Sequence, residues 1–212
     1  MKKMKISVLL LSGAILLGSC STMNNTAKGG VIGGGSGAAA GAIIGGLIGK
    51  GKGAAIGAAV GAAVGTGAGV AIGHKMDKKA AEAAKIEGAQ VEKVTDTNGL
   101  AAVKVTFESG ILFGFNSSAL SNTSKASLRE LAQILKEDPT TDIAIVGHTD
   151  KVGTYEANMK VSKDRAYTAQ FKQVEGVGYN QYDDSMTASQ NRRVDIYMYA
   201  SEQMIKNAEA GK

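Results

Sequence analysis

The apolar and polar positions divide the chain into stretches of different character. Lys2, Lys3 and Lys5 precede an apolar run over residues 6–17, and a stretch rich in Gly and Ala then continues to residue 73. Charged residues dominate next, before a region in which strand-like and helix-like patterns alternate. Such changes of composition mark the expected boundaries between parts of a chain.

Regular patterns predict a folded domain over residues 98–200. Alternating or continuous apolar positions predict strands at 100–108, 142–147 and 193–199. The domain is predicted to follow a charged linker over 74–97 and to end in a polar tail over 201–212, because these segments carry few apolar residues at regular spacing.

Helical spacing of apolar residues predicts one helix between the first two strands, and a second helix is predicted before the last strand. Ser121 or Thr123 would cap the first helix and Pro139 would end it, and the second would cover residues 156–173. Strands that alternate with helices indicate an α+β fold. We expect a two-layer sandwich of the βαβαβ type, with the helices on one face of a mixed sheet.

The N-terminus is predicted to be a lipoprotein signal peptide over residues 1–19. Its apolar run is too short to cross a bilayer, which is typical of a secretory signal. The residues before Cys20 read Leu17-Gly18-Ser19, which resembles a bacterial lipobox and predicts lipidation of the only cysteine. The alternative is an ordinary signal followed by a stray thiol, which would be a reactive liability in an exported protein. Residues 20–28 would then form the lipidated N-terminus.

Charge argues against a nucleic-acid partner. Removal of the three signal lysines lowers the formal net charge from +5 to +2, so most of the apparent basicity disappears. Two His residues and one Cys are too few to predict a metal site, and no cofactor is expected.

A glycine ladder occupies residues 29–73. Glycine stands at every fourth position, namely 29, 33, 37, 41, 45, 49, 53, 57, 61, 65, 69 and 73. On a helix this spacing forms a groove without side chains, in which another helix can lie very close. Lys50 and Lys52 divide the ladder into two apolar halves, each about 30 Å long as a helix.

Two interpretations of the ladder remain open. One is a glycine-zipper hairpin, associated with the membrane, that packs on itself or forms homo-oligomers through other copies. The other is a flexible Gly- and Ala-rich tether, because each interior glycine disfavours an isolated helix by about 1 kcal/mol. Strict spacing favours the hairpin, since a tether does not need it.

Two motifs carry most of the functional information. The first contains Gly147-His148-Thr149-Asp150-Lys151-Val152-Gly153, then Asn158 and Ser162-Lys163-Asp164-Arg165-Ala166. The second is Asn191-Arg192-Arg193-Val194-Asp195. Together they resemble the OmpA-like peptidoglycan-binding domain, in the same order and over about a hundred residues.

The resemblance implies a site for the diamino-acid residue of the peptidoglycan stem peptide. Asp150 would accept hydrogen bonds from the ligand ammonium, and Arg165 would donate to its carboxylate as a planar fork. Asn116 and Asn158 match positions that hydrogen-bond the ligand, and Arg192 or Arg193 would add a cation. Successive residues of a strand point to opposite faces, so only one of these two arginines can face the site.

Each site residue also has a simpler interpretation. Asp150 could cap the second helix, with Arg165 as its internal salt-bridge partner. Asn158 could be a surface residue, and Asn116 could only shape a turn. The sequence also departs from the family pattern, because about ten residues are missing around 173–179 and Gly114 replaces an acid that many relatives carry near the ligand.

The sequence therefore predicts a non-enzymatic lipoprotein of the outer membrane, with its C-terminal domain in the periplasm. Ser21 follows Cys20 where inner-membrane lipoproteins carry Asp, which by family resemblance indicates the outer membrane. The expected partners are peptidoglycan and the membrane lipid. The alternative function is a structural or assembly lipoprotein that oligomerises through the ladder, with wall binding weakened or lost. No catalytic residues are predicted, since neither paired carboxylates nor a nucleophile beside a base is recognisable.

Overall fold

The computed structural model describes residues 67–96, 99–108, 112–113, 118–167 and 174–211. Cys20, Asn116, Gly114 and the ladder up to Gly65 lie outside this part of the chain. The described elements, in chain order, are α1 (Gly67–Ala83), β1 (Gln90–Thr95), β2 (Ala101–Glu108), α2 (Asn122–Glu137), β3 (Thr141–His148), α3 (Tyr155–Tyr167), β4 (Val174–Gly178), α4 (Ala188–Asn191), β5 (Arg193–Ala200) and α5 (Glu202–Glu209).

A five-stranded mixed sheet forms one layer of the domain. Its strand order is β1-β2-β5-β3-β4. The pair β3–β4 is parallel, whereas the other three pairs are antiparallel. The predicted α+β sandwich with a mixed sheet is therefore confirmed.

The main core lies between the sheet and the helices. Val103, Val105 and Phe107 of β2 point to the same face as Ile196 and Met198 of β5, and all five are buried. Helices α1, α2, α3 and α5 contribute to the same cluster. A smaller apolar cluster on the opposite face contains Val94, Ala102, Ala144, Val146, Tyr197 and Tyr199.

The first part of the predicted linker is an integral part of this fold, which corrects the expectation for residues 74–97. Helix α1 runs through the expected boundary at residue 73 and packs on β1, β2 and α5. Ile72, Met76 and Ala80 recur on its buried face. Strand β1 then pairs with β2 along its whole length. Small Ala residues among the Lys and Glu residues hid this buried stripe from a search for large apolar side chains.

An ion pair fixes α1 to the end of α2. Lys79 is almost fully buried, and its Nζ atom donates to Asp138 Oδ2 at 2.9 Å. Lys75, which is more exposed, lies 3.7 Å from the same carboxylate oxygen. A buried charge needs a partner of this kind, so the pair specifies how α1 docks.

The C-terminal segment also differs from the prediction. Residues 202–209 form helix α5 rather than a polar tail, because Met204 and Ile205 reach the main core. Ser201 caps this helix by accepting a hydrogen bond from the Met204 amide. The helix is only two turns long, too short for a regular spacing of apolar residues to be recognised in the sequence.

The region of the apparent deletion keeps its strand. Strand β4 pairs in parallel with β3, so the missing residues did not remove this strand from the sheet. The preceding helix α3 is described from Tyr155 to Tyr167. The predicted cap of α2 is also resolved, because Ser121 rather than Thr123 accepts the hydrogen bond from the Ser124 amide.

Candidate functional site

Asp150 stands just beyond the end of β3, in the loop that leads to α3. Its Oδ1 atom accepts a hydrogen bond from the Val152 amide at 3.1 Å, which closes a tight turn. Its Oδ2 atom accepts from Arg192 Nη1 at 2.6 Å. Thr154 rather than Asp150 accepts from the α3 amide of Ala157, so the helix-cap interpretation of Asp150 does not hold. The carboxylate is therefore oriented by a turn and by a cation.

Helix α3 lies unusually close to the sheet, and this contact positions Arg165. A Cβ atom on Gly147 would overlap the main-chain carbonyl of Ser162, and one on Gly176 would overlap the main chain of Lys163. The Ser162 hydroxyl accepts from the Gly178 amide at 2.9 Å. The Ser-x-x-Arg-Ala motif thus places a small hydrogen-bonding residue against β3 and β4.

The Arg165 guanidinium is largely buried and lies over the ring of Phe113, 5.4 Å from its centroid. Burial lowers its pKa, as does the charge of Arg192, while the charge of Asp150 raises it. Arg165 therefore lies within electrostatic range of Arg192 and Asp150. An arginine remains charged in spite of such a decrease.

The structure separates the two neighbouring arginines. Arg192 immediately follows α4 and extends to Asp150, with 41% of its side chain exposed. Arg193 is the first residue of β5 and lies on the opposite face of the sheet, where its Nε atom is 3.2 Å from Asp195 Oδ2. Arg192 therefore lies just before the strand begins, and it is the arginine that contacts Asp150.

Asn158 is buried rather than a surface residue. Its Nδ2 atom donates to the carbonyl groups of Val152 and Thr154, at 3.0 Å and 3.1 Å. It therefore stabilises the loop that carries Asp150. Its role toward a ligand stays a prediction, as do the roles of Asn116 and Cys20 outside the described residues.

A buried polar network around Asp195 was not foreseen from the sequence. Asp195 accepts from the Thr106 hydroxyl at 2.7 Å and lies 3.0 Å from His148 Nε2. Burial opposes its charge, but His148, Arg193 and Thr106 outweigh that effect and hold the pKa of Asp195 well below its ordinary value. Burial in turn lowers the pKa of His148, so we expect a neutral imidazole at neutral pH. The signal for this network in the sequence was the spacing of Arg193 and Asp195, because residues two apart in a strand point to the same face.

The arrangement brings together one carboxylate and two guanidinium groups at one end of the sheet. Such a set suits a ligand with an ammonium group and one or two carboxylates, since each ligand charge meets an opposite charge. Within the described residues, no group of three or more His, Cys, Asp or Glu side chains is arranged to hold a metal ion.

Comparisons with known proteins agree with this organisation. Residues 1–77 match the YMGG-like Gly-zipper family, and residues 112–181 match the OmpA family. These matches define a class of protein, namely an OmpA-type domain that follows an N-terminal glycine zipper.

Similar proteins extend the match over nearly the whole chain. The probable lipoprotein YiaD of Escherichia coli is 31% identical over 215 residues, covering 92% of this chain and 97% of that protein. The chain belongs to the OmpA family. Outer membrane porin F of Pseudomonas aeruginosa is 33% identical over 123 residues, but the chain spans only 35% of the length of that porin.

A solved structure is also similar. The cell wall anchor of the T6SS from Pseudomonas aeruginosa is 20% identical, with a TM-score of 0.47, covering 59% of this chain and 97% of that one. In the part of the chain that the structure describes, none of the helices combines the length and the apolar character that crossing a membrane requires.

Proposed function

We propose that this protein is a lipoprotein of the outer membrane that binds the peptidoglycan stem peptide without covalent attachment. A lipid on Cys20 and the glycine ladder would hold the chain at the membrane. The folded domain would bind the cell wall from the periplasm. The observation that carries the proposal is the convergence of Asp150, Arg165 and Arg192 in a domain of the OmpA family.

Charge complementarity indicates how the site would hold a diamino acid. The ligand ammonium would take hydrogen bonds on Asp150, and the ligand carboxylate would meet the fork of Arg165. Arg165 is already desolvated and supported by Phe113, so it is preorganised for an anion. Arg192 is more exposed, and it neutralises Asp150 when no ligand is bound.

Asp150 would pair either with Arg192 or with the ligand ammonium. Asp150 is not left buried with an unpaired charge when the site is empty, so the free domain does not lose stability. When the ligand ammonium group displaces Arg192 from Asp150, the Arg192 guanidinium would become available to a second carboxylate of the ligand. Asp150 then has a cationic partner in both states.

Weak binding at this site is sufficient for a tether. Once the lipid holds one end of the protein in the membrane, rebinding to the nearby wall becomes an intramolecular event. Many copies along the envelope would then hold the two layers together. No bond in the wall needs to be broken, so the proposed function is not enzymatic.

Replacement of the two central residues tests the proposal. Asp150→Ala and Arg165→Ala should each weaken binding to purified peptidoglycan by about 2 to 4 kcal/mol, because each leaves a desolvated ligand charge without a partner. Sedimentation of the protein with peptidoglycan measures this binding. The double variant should lose less than the sum of the two losses, since release of one end of the ligand already weakens the other contact.

Lys160→Ala is the matched control for Arg165→Ala. Lys160 lies on the same helix and carries the same charge, but it is exposed and pairs with Asp164. It should leave wall binding unchanged. Each variant should also be melted, because a residue that only stabilises the fold would lower the melting temperature without affecting binding. Retained wall binding by a folded Arg165→Ala protein would refute the proposed clamp.

The match to the Gly-zipper family favours a second role for the N-terminal region. We infer that the ladder packs helix against helix, either within one chain or between copies.

Replacing Gly57 and Gly61 with Leu should disrupt crosslinked oligomers in membranes, whereas the same change at Ala58 and Ala62 should have less effect. Identical crosslinking patterns in the two sets would favour the flexible tether. Oligomers that form without wall sedimentation would support the assembly lipoprotein instead.

A further inference from the structure

A group of tyrosines lies beside the candidate site and has no role in the clamp. Tyr155 is the first residue of α3, and Tyr179 and Tyr182 follow the end of β4. We call these three residues the tyrosine rim. Because β3 and β4 are parallel neighbours, the loop after β4 lies at the same end of the sheet as the loop that carries Asp150.

Tyr155 presents an aromatic ring that is both exposed and fixed. It is 43% exposed. Its ring makes a T-shaped contact with the ring of Tyr179, with centroids 5.7 Å apart and an interplanar angle of 76°. Asn180 Nδ2 donates to the Tyr155 hydroxyl at 3.2 Å. A ring restrained in this way loses little conformational entropy when a ligand stacks on it.

Tyr182 supports the rim rather than offering a face of its own. Lys151 Nζ lies 4.2 Å from the centroid of its ring, so a cation occupies one face. The same ammonium pairs with Asp184 at 2.8 Å. Polar groups therefore border the aromatic surface, while the Tyr155 ring remains open to a ligand.

The rim is continuous with the site through the loop at residues 150–154. Val152 is 78% exposed, and its amide donates to Asp150. Its carbonyl accepts from Asn158 Nδ2. These two hydrogen bonds fix the loop that joins Asp150 to the start of α3, where Tyr155 lies.

We propose that the tyrosine rim binds a sugar ring of the wall polymer whose stem peptide occupies the clamp. This inference rests on the proposed function. A pyranose has a face of C–H groups that stacks on an aromatic ring, and hydroxyl groups around its edge that need hydrogen-bonding partners. The rim combines these two features, with Tyr155 as the face and with Asn180, Lys151 and Asp184 at the border. A peptide methyl group alone would need neither a fixed ring nor a polar border.

The test uses two probes that differ only in the sugar. The full chain, purified in detergent, is titrated with the stem tripeptide that contains the diamino acid, and with the same tripeptide attached to its disaccharide. The native chain should bind the disaccharide form about three- to ten-fold more tightly, which is the range expected for one aromatic stacking contact. Tyr155→Ala should abolish this difference and leave the affinity for the bare tripeptide unchanged.

Two further variants sharpen the test. Tyr155→Phe keeps the ring and loses the hydrogen bond from Asn180, so it should retain most of the preference. Tyr167→Ala is the matched control, because Tyr167 is 54% exposed at the other end of the same helix, and it should retain all of the preference.

Three results would overturn the sugar subsite, and one of them concerns the clamp as well. Equal binding of both probes by the native chain would show that the rim does not bind the sugar. An equal loss for both probes in Tyr155→Ala would show that the rim contacts the peptide. If neither probe binds, the proposed function itself fails, whereas binding of the bare tripeptide preserves the clamp whatever the sugar does.

Discussion

The docking of α1 through Lys79 yields a quantitative prediction. Lys79 keeps only 7% of its side chain exposed, and Asp138 keeps 18%. Burial opposes ionisation of Asp138, but hydrogen bonds from Thr140 and Lys79 outweigh it and lower the pKa from 3.8 to about 2. Such a decrease corresponds to about 2 kcal/mol of stability. Because Thr140 and Lys79 share the effect, Lys79→Met should destabilise the domain by about 1 to 2 kcal/mol.

The assay is urea unfolding of residues 67–212, followed by circular dichroism. Lys75→Met is the matched control, since Lys75 lies 3.7 Å from the same carboxylate oxygen but is 42% exposed. It should lower the free energy of unfolding by less than about 1 kcal/mol. Equal losses in the two variants would refute the claim that burial of Lys79 makes the pair important.

The pH dependence provides an independent check. The pKa of Asp138 is lower in the folded state, so the unfolded state binds its proton first as the pH falls. This contribution to stability is complete above about pH 4 and disappears as the pH falls toward 2. Lys79→Met should flatten that part of the curve, whereas Lys75→Met should not. An unchanged acid limb in Lys79→Met would contradict the proposed coupling between Lys79 and Asp138.

Two buried positions and the predicted lipidation residue can be tested in the same way. Gly147→Ala should cost about 3 kcal/mol or prevent folding, because its Cβ would overlap the Ser162 carbonyl, whereas Gly73→Ala, with open space at its Cβ, should be neutral or stabilising in thermal melts. Asp195→Asn should lower the free energy of unfolding by about 3 kcal/mol in urea titrations, because it removes a buried negative charge from its partners. Cys20→Ser should abolish incorporation of a labelled fatty acid, and equal labelling of both proteins would remove the lipoprotein assignment.

Large apolar residues at regular spacing were reliable guides to the fold. Strand β2 and helix α2 were predicted nearly at their observed bounds, because Val103, Val105 and Leu131 are buried where the periodicity placed them. The docking of α1 on the domain was missed because its buried face consists mainly of small residues and includes Lys79. Only the carboxylate at the end of α2 makes that lysine compatible with the core, and no local pattern reveals a partner 59 residues away.

In the site, too, local sequence motifs indicated which residues take part, whereas their arrangement depends on the tertiary structure. The motif indicated Asp150 and Arg165, and strand alternation indicated that Arg192 and Arg193 point in opposite directions. The choice between the two arginines depends on how the start of β5 lies beside the end of β3, which is a property of the sheet order. Phe113 beneath Arg165 depends likewise on a contact between distant segments.

In the proposed tether, the packing of α1 would affect how force passes between the wall and the membrane. A slack linker would let a wall-bound domain drift before any tension developed. Because α1 is docked on the sheet and paired through Lys79, a pull on its N-terminal end would instead act as shear along a helix against the domain. The docked helix would then be the first contact to break under load. Its release would lengthen the connection under stress before the contact with the wall had to break.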